Sequence, residues 1–256
     1  MTTSLSRLSG IRSFSRDGVK VFLNTDALPD PDPDPFFRIP EIVESLPGGS
    51  SRAAGRQSVW TWHPNGLPEP GLMVRQYVHG GLLGPLFGAW FLGTGRMESE
   101  MAVHLHALRH DVPTCRPVAL RTERASRLLH TGFYVTEAIP DSANLLELCA
   151  EVDREERRRS PIWKRRLAER IADAVAAMHD AGIEHADLNL KNLLVKRTGE
   201  HPDVYIIDFD RAELREEVSL RKRLKNLVRL DRSIVKWGSS RRTISLWDRL
   251  RVWRYY

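Results

Sequence analysis

At 256 residues and 41% hydrophobic composition, the chain can bury a substantial core as one domain or as two small lobes. Two cysteines, Cys115 and Cys149, are too few and too unpatterned for a disulfide framework or a zinc site, which points to buried thiols in a reducing cytoplasm. The net charge of +6 is concentrated late in the chain: residues 211–256 hold 14 Lys/Arg against 5 Asp/Glu, which favours a polyanionic partner or else describes a solvated helical face.

Residues 1–17 carry Arg7, Arg12 and Arg16 but no apolar run of secretory-signal length. Asp30-Pro-Asp-Pro-Asp-Pro35 reads as a stiff spacer whose alternating prolines bar helix and central strand, so residues 1–35 are expected to be a leader outside the fold. A Gly/Ser-rich run at Gly48, Gly49 and Gly55 follows. Val59–Trp62 and Gly71–Tyr77 then have the composition of strands, Glu98–Arg109 the spacing of a helix, and Gly132–Ile139 that of another strand. Residues 36–139 are thus expected to be a small β-rich lobe. Across residues 140–256 the pattern becomes helical: Leu167, Ile171, Val175 and Met178 share one face of a helix that Gly182 ends. Short strands at Leu193–Val195 and Val204–Ile207 flank a Thr198-Gly199 turn, and a basic helical remainder follows. The expected class is α+β, a β-rich N-lobe before a helical C-lobe.

His185-Ala-Asp-Leu-Asn-Leu-Lys-Asn192 has the spacing of a kinase catalytic loop, and Asp208-Phe-Asp210 follows directly after an apolar strand. Phosphoryl transfer needs a carboxylate to orient a hydroxyl and take its proton, and oxygen ligands that hold Mg²⁺ against the phosphates of ATP. Asp187 is the expected base, and Asn192 and Asp208 are the expected metal and cofactor ligands. Singly, each is also a common turn residue. Their joint spacing favours the catalytic reading, with His185 holding the loop. Upstream, Gly55 and its neighbours could let backbone amides approach phosphate or could form a plain loop. Arg75 stands where a kinase strand carries its phosphate-contacting lysine and Glu100 is its expected ion-pair partner, though both are also readable as surface charges.

With these residues in hand, the chain resembles the lipopolysaccharide kinase family, and within it the 3-deoxy-D-manno-octulosonic acid (Kdo) kinases. The matching segments are Val74–Leu83, Thr94-Gly-Arg96 with Glu100, Val112-Pro113 with Arg116-Pro117, Thr136–Pro140, His185–Asn189, Tyr205–Arg211 and Asn226–Ser233. The resemblance covers roughly residues 48–236. Leu190-Lys191 departs from the small-His pair of the family pattern, which bears on the acceptor. The resemblance implies a protein-kinase-like two-lobed fold and transfer of phosphate from ATP, with Mg²⁺, to the 4-hydroxyl of Kdo. The implied acceptor is a Kdo-containing lipid A precursor at the cytoplasmic face of the inner membrane.

Two features bear on that setting. Gln76–Gly95 has no charged residue, and its six glycines and Pro85 argue against a spanning helix. Leu82, Leu83, Leu86, Phe87, Trp90 and Phe91 could instead dip into a membrane interface or pack on the small lobe. The basic tail, with Arg221, Lys222, Arg223, Lys225 and Arg229, would add attraction to an anionic surface. A heptose kinase, a small atypical protein kinase and a pseudokinase scaffold are the alternatives. Only 17 residues separate Asp208 from Asn226, too few for a long peptide-docking segment, and no nucleic-acid motif is present.

Overall fold

The computed structural model describes residues 5–46, 59–64, 71–78, 88–155, 161–196, 202–237 and 244–256. The chain divides into two compact units, one of residues 1–102 and 116–138 and the other of residues 103–115 and 139–256.

The first unit is built on an antiparallel sheet. Its strands are β1 (Ile11–Arg16), β2 (Val19–Asn24), β3 (Val59–Trp62), β4 (Leu72–Gln76), β5 (Phe91–Leu92), β6 (Pro117–Arg124) and β7 (Leu129–Glu137). They run in the order β1-β2-β6-β7-β4-β3, with β5 also paired to β7. Residues 11–24, expected to be a leader, are instead the β1–β2 hairpin, in register from Ile11 opposite Asn24 to Arg16 opposite Val19. The turn is Asp17-Gly18 with both residues at positive φ, the two-residue geometry that matches strand twist. Val21, Phe22 and Leu23 of β2 are buried, so the hairpin belongs to the core rather than to a tail.

The Asp/Pro spacer also needs correction. A short helix, α1 (Asp34–Phe37), begins inside it and α2 (Ile39–Ser45) follows at once. Pro35 falls in the first turn of α1, where the amide that proline lacks has no helical acceptor. Phe36, Ile39 and Val43 then pack with Val21, Leu23, Trp62, Leu72, Val74, Val118, Phe133 and Val135. Strand β6 escaped the sequence reading because Arg121 and Thr122 interrupt its apolar run. Arg121 is nevertheless buried, because it donates to the Phe37 carbonyl at 3.0 Å and pairs with Glu123 at 2.9 Å.

Helix α3 (Gly95–Arg109) is shared, its first part belonging to the first unit and Val103 onward to the second. The second unit adds β8 (Ser142–Asn144), α4 (Leu145–Glu155), α5 (Pro161–Asp180), β9 (Ile183–Glu184), β10 (Leu193–Lys196), β11 (Val204–Ile206), β12 (Glu213–Leu214), α6 (Leu220–Lys236) and α7 (Leu246–Tyr255). Strands β11, β10 and β8 form one small sheet, and β12 pairs with β9. Helix α5 buries Leu167, Ile171, Ala174, Val175 and Met178 on one stripe. It ends at Gly182, at φ +75°, where a Cβ would lie 2.2 Å from the Arg215 carbonyl oxygen, so only glycine fits. Cys115 and Cys149 are buried and not joined in a disulfide. Among the described residues no helix is long and apolar enough to cross a membrane.

Candidate active site

The turn after β9 carries His185 to Asn192, and the β10–β11 hairpin folds Asp208 back beside it. Leu193 pairs with Ile206, and the next step outward joins the Ile207 N–H to the Asn192 carbonyl at 3.0 Å. Asn192 also donates from Nδ2 to the main-chain oxygen of Asp187 at 2.8 Å. Asp187, Asn192 and the residue preceding Asp208 are therefore tied into one knot of backbone and amide hydrogen bonds.

His185 is buried and braces that knot. Its Nδ1 accepts the Asp187 N–H at 3.1 Å and its Nε2 faces the Ile207 carbonyl at 3.3 Å, which requires the proton on Nε2. Burial lowers its pKa and keeps the ring neutral, as this pattern needs: a second proton on Nδ1 would confront the Asp187 N–H. Phe209 is fully buried, with ring centroids 5.7 Å from His185 and 5.0 Å from His104. Asp208 sits at φ +65°, in the left-handed region that Asp tolerates better than most residues.

The Asp187 carboxylate points outward, with its side chain 69% exposed. Oδ1 receives Arg229 at 3.1 Å and Oδ2 receives Asn189 Nδ2 at 3.1 Å. Behind the loop, α6 supplies the clamp. Asn226 accepts the His185 N–H and the His179 Nε2–H on Oδ1 and donates from Nδ2 to the His185 carbonyl. Ser233 accepts the Leu190 N–H at 3.2 Å, and Arg229 donates to the Ala186 carbonyl. None of these α6 roles was assigned from the sequence. Asn226, Arg229, Ser233 and Lys236 recur at spacings of three and four, one face of a helix, and that was the available signal.

In the first unit, Arg75 on β4 donates to Glu100 on α3, and Tyr77 donates to the other Glu100 oxygen at 2.7 Å. Glu100 is 2% exposed, and the Arg75 guanidinium lies 4.9 Å from the Tyr77 ring centroid. Burial, reinforced by the Glu100 charge, raises the Tyr77 pKa well above its ordinary value, so its hydroxyl remains a donor. This pair is built in, not a chance surface contact. Gly48, Gly49 and Gly55, Leu82, Leu83, Leu86 and Phe87, and the Thr198-Gly199 turn lie outside the described residues.

At two places the structure separates readings that the sequence left open. Phe91 is buried on β5 against Tyr77, with ring centroids 6.2 Å apart, so it is core; Trp90 remains exposed. In the basic tail, Lys222 pairs with Glu184, Arg223 with Asp180 at 2.7 Å and Arg229 with Asp187, whereas Arg221 and Lys225 are exposed.

Among the described residues no group of three or more His, Cys, Asp and Glu could hold a metal ion. The pair in question does not need one of that kind. Asn192 has its Nδ2 engaged, which leaves its amide oxygen as a donor, and Asp208 offers a carboxylate. This hard oxygen set fits Mg²⁺, which takes few protein ligands and completes its shell with phosphate and water.

Residues 55–256 match the lipopolysaccharide kinase (Kdo/WaaP) family. The chain belongs to this family. It is accordingly an ATP-dependent phosphotransferase with an alcohol group as acceptor, and a lipopolysaccharide-related kinase. Among its relatives are the 3-deoxy-D-manno-octulosonic acid kinases of Vibrio cholerae, 30% identical over 88% of this chain and 89% of the relative, and of Photobacterium damsela, 30% identical over 72% and 71%. A solved structure of WaaP in complex with acyl carrier protein superimposes with a TM-score of 0.58 at 26% identity, covering 87% of this chain and 86% of that one. The fold is therefore the kinase-like two-lobed α+β fold.

Proposed function

We propose that this kinase transfers the γ-phosphoryl group of ATP to a Kdo hydroxyl, the 4-position by family resemblance, on a lipid A precursor. The observation that carries the reading is the knot around Asp187, Asn192 and Asp208, in a chain whose relatives are Kdo kinases over most of their length. Asp187 accepts the proton of the acceptor hydroxyl as its oxygen bonds to the γ-phosphorus, and the bond from that phosphorus to the bridging oxygen breaks to release ADP. Asn192 Oδ1 and the Asp208 carboxylate would hold Mg²⁺, whose charge when bound offsets that of the phosphates. Arg75, oriented by Glu100, is the phosphate-contacting cation of the first unit, and Gly55 is a candidate backbone contact. His185 and Asn226 hold Asp187 in place and touch neither reactant.

The site of action in this reading is the cytoplasmic face of the inner membrane, reached peripherally. Support comes from a helix surface that pairs exposed Leu220, Leu224, Val228 and Val235 with exposed Arg221, Lys225 and Arg232 on α6. The decisive experiment incubates the purified chain with labelled ATP and, separately, a Kdo-containing lipid A precursor, a heptose-extended acceptor and a generic protein substrate. A single added phosphate on the Kdo residue of the first acceptor is expected; transfer only to the heptose or the protein overturns the acceptor.

A further inference from the structure

One face of α6, with Trp237 just past it, lies along the loop from His185 to Lys191. Arg229 reaches Ala186 and Asp187, Ser233 holds Leu190, and Trp237, just past the helix, faces Lys191. Lys191 Nζ lies 4.7 Å from the Trp237 ring centroid and Lys236 Nζ 5.9 Å from it. Three cations thus lie beside the Asp187 carboxylate, with Arg229 41% exposed and Lys236 exposed at the rim. This is more positive charge than a general base requires for its own orientation.

The arrangement around Asp187 gives that charge a use. Each carboxylate oxygen carries one donor, Oδ1 Arg229 and Oδ2 Asn189, and the side chain is largely exposed, so each keeps a lone pair for an incoming hydroxyl and Arg229 stands beside the place that hydroxyl must take. A neutral sugar offers the Arg229 guanidinium no charged partner. A sugar acid does: Arg229 uses Nη1 for Ala186 and Asp187, and its other N–H groups can take a carboxylate in a charge-assisted contact. The anion must then sit on the reacting sugar itself, because Arg229 touches the very carboxylate that receives the proton.

We propose that Arg229, with Lys191 and Lys236, binds the carboxylate of a sugar-acid acceptor and so sets the acceptor hydroxyl against Asp187. The inference rests on the acceptor reading above, and it adds which group of that acceptor is recognised and by which residues. Trp237 holds both lysine ammonium groups near its ring by cation–π attraction.

The test measures kcat and KM with the Kdo-containing acceptor, its carboxyl methyl ester and its dephosphorylated lipid form. For the wild type, esterification should lower kcat/KM by roughly tenfold to a hundredfold, the size expected for losing a charge-assisted contact. Removing the lipid phosphates should cost little by comparison. Arg229→Gln should work poorly on the acid and no longer distinguish acid from ester. Lys236→Gln, at an exposed position where folding is not at risk, should raise KM for the acid alone. A wild type that uses acid and ester equally, or loses activity only with the lipid phosphates, overturns the carboxylate site while the Kdo reading stands. A wild type that phosphorylates none of the three overturns that reading, and the inference with it.

Discussion

Asn226 holds the backbone of His185 from both sides, accepting its N–H at 3.3 Å and donating to its carbonyl at 2.9 Å, though 41 residues separate the two. Through this clasp a helix outside the catalytic loop sets the position of the ring that in turn supports the Asp187 amide. Asn226→Leu fills a similar volume but strands two buried backbone groups and the His179 Nε2–H, each costing about 1–3 kcal/mol. The expected result is a fall in melting temperature together with lower turnover. A variant as stable and active as the parent shows that the loop is positioned without α6.

Asp187→Asn is expected to leave the fold intact, because the side chain is largely exposed and an amide can still accept from Arg229. Turnover should fall by about a hundredfold or more as the hydroxyl loses its proton acceptor. Near-parent turnover in the folded variant removes Asp187 from the chemistry.

For the proposed metal ligand, Asp208→Asn is the informative substitution. Asn tolerates the φ of +65° at this position, so backbone strain does not confound the result as it would with Ala. The Mg²⁺ dependence of ATP turnover should shift to much higher concentration or vanish. An unchanged Mg²⁺ titration excludes Asp208 as a ligand.

The catalytic loop and the hairpin behind it were legible from the sequence because their residue types are forced by local chemistry. Asp187, Asn192 and Asp208 occupy fixed offsets around two short apolar strands, and the long apolar stripe of α5 leaves little ambiguity. The Arg75–Glu100 pair was also indicated, by position along a strand and the following helix. The Asp17-Gly18 hairpin was missed although its turn signal is strong, because β1 is polar and exposed and the proline spacer drew the boundary too late. The α6 clamp was hidden for a different reason: Asn226 and Arg229 act on residues about 40 positions away, so their helical spacing marks a shared face but not what that face holds.

His179 sets an acid limit on stability. The residue is buried between Asn226 and Tyr256, near Arg223, Asp180 and His185, and burial lowers its pKa below the ordinary histidine value. The unfolded chain therefore binds a proton that the folded chain refuses. Stability from this source is present above the unfolded pKa of about 6.5 and declines as pH falls toward the depressed folded value, by up to about 1.4 kcal/mol per pH unit. His185 and His106 are shifted the same way and add to the slope. Urea denaturation between pH 5 and 8 should show the decline, and His179→Gln, though less stable at neutral pH, should show a shallower one. An identical slope in the variant means that His179 titrates alike in both states.

The proposed membrane engagement should depend on α6 and Trp90, not on every basic residue of the tail. Lys222, Arg223 and Arg229 spend their charge on Glu184, Asp180 and Asp187, so reversing them disturbs internal ion pairs. Arg221 and Lys225 are exposed beside the apolar stripe of Leu220, Leu224 and Val228, the combination of charge and greasy surface that an anionic interface attracts. Each basic residue near such a surface contributes on the order of 1 kcal/mol, an effect that salt screens, whereas burial of an indole is not weakened by salt. Sedimentation with anionic liposomes separates the two contributions. Arg221→Glu with Lys225→Glu should reduce binding mainly at low salt, and Trp90→Ser should reduce it at all salt concentrations without touching the buried Phe91 beside it. If both variants sediment like the parent, the stripe on α6 is a solvated face and the lipid acceptor reaches Asp187 by another surface.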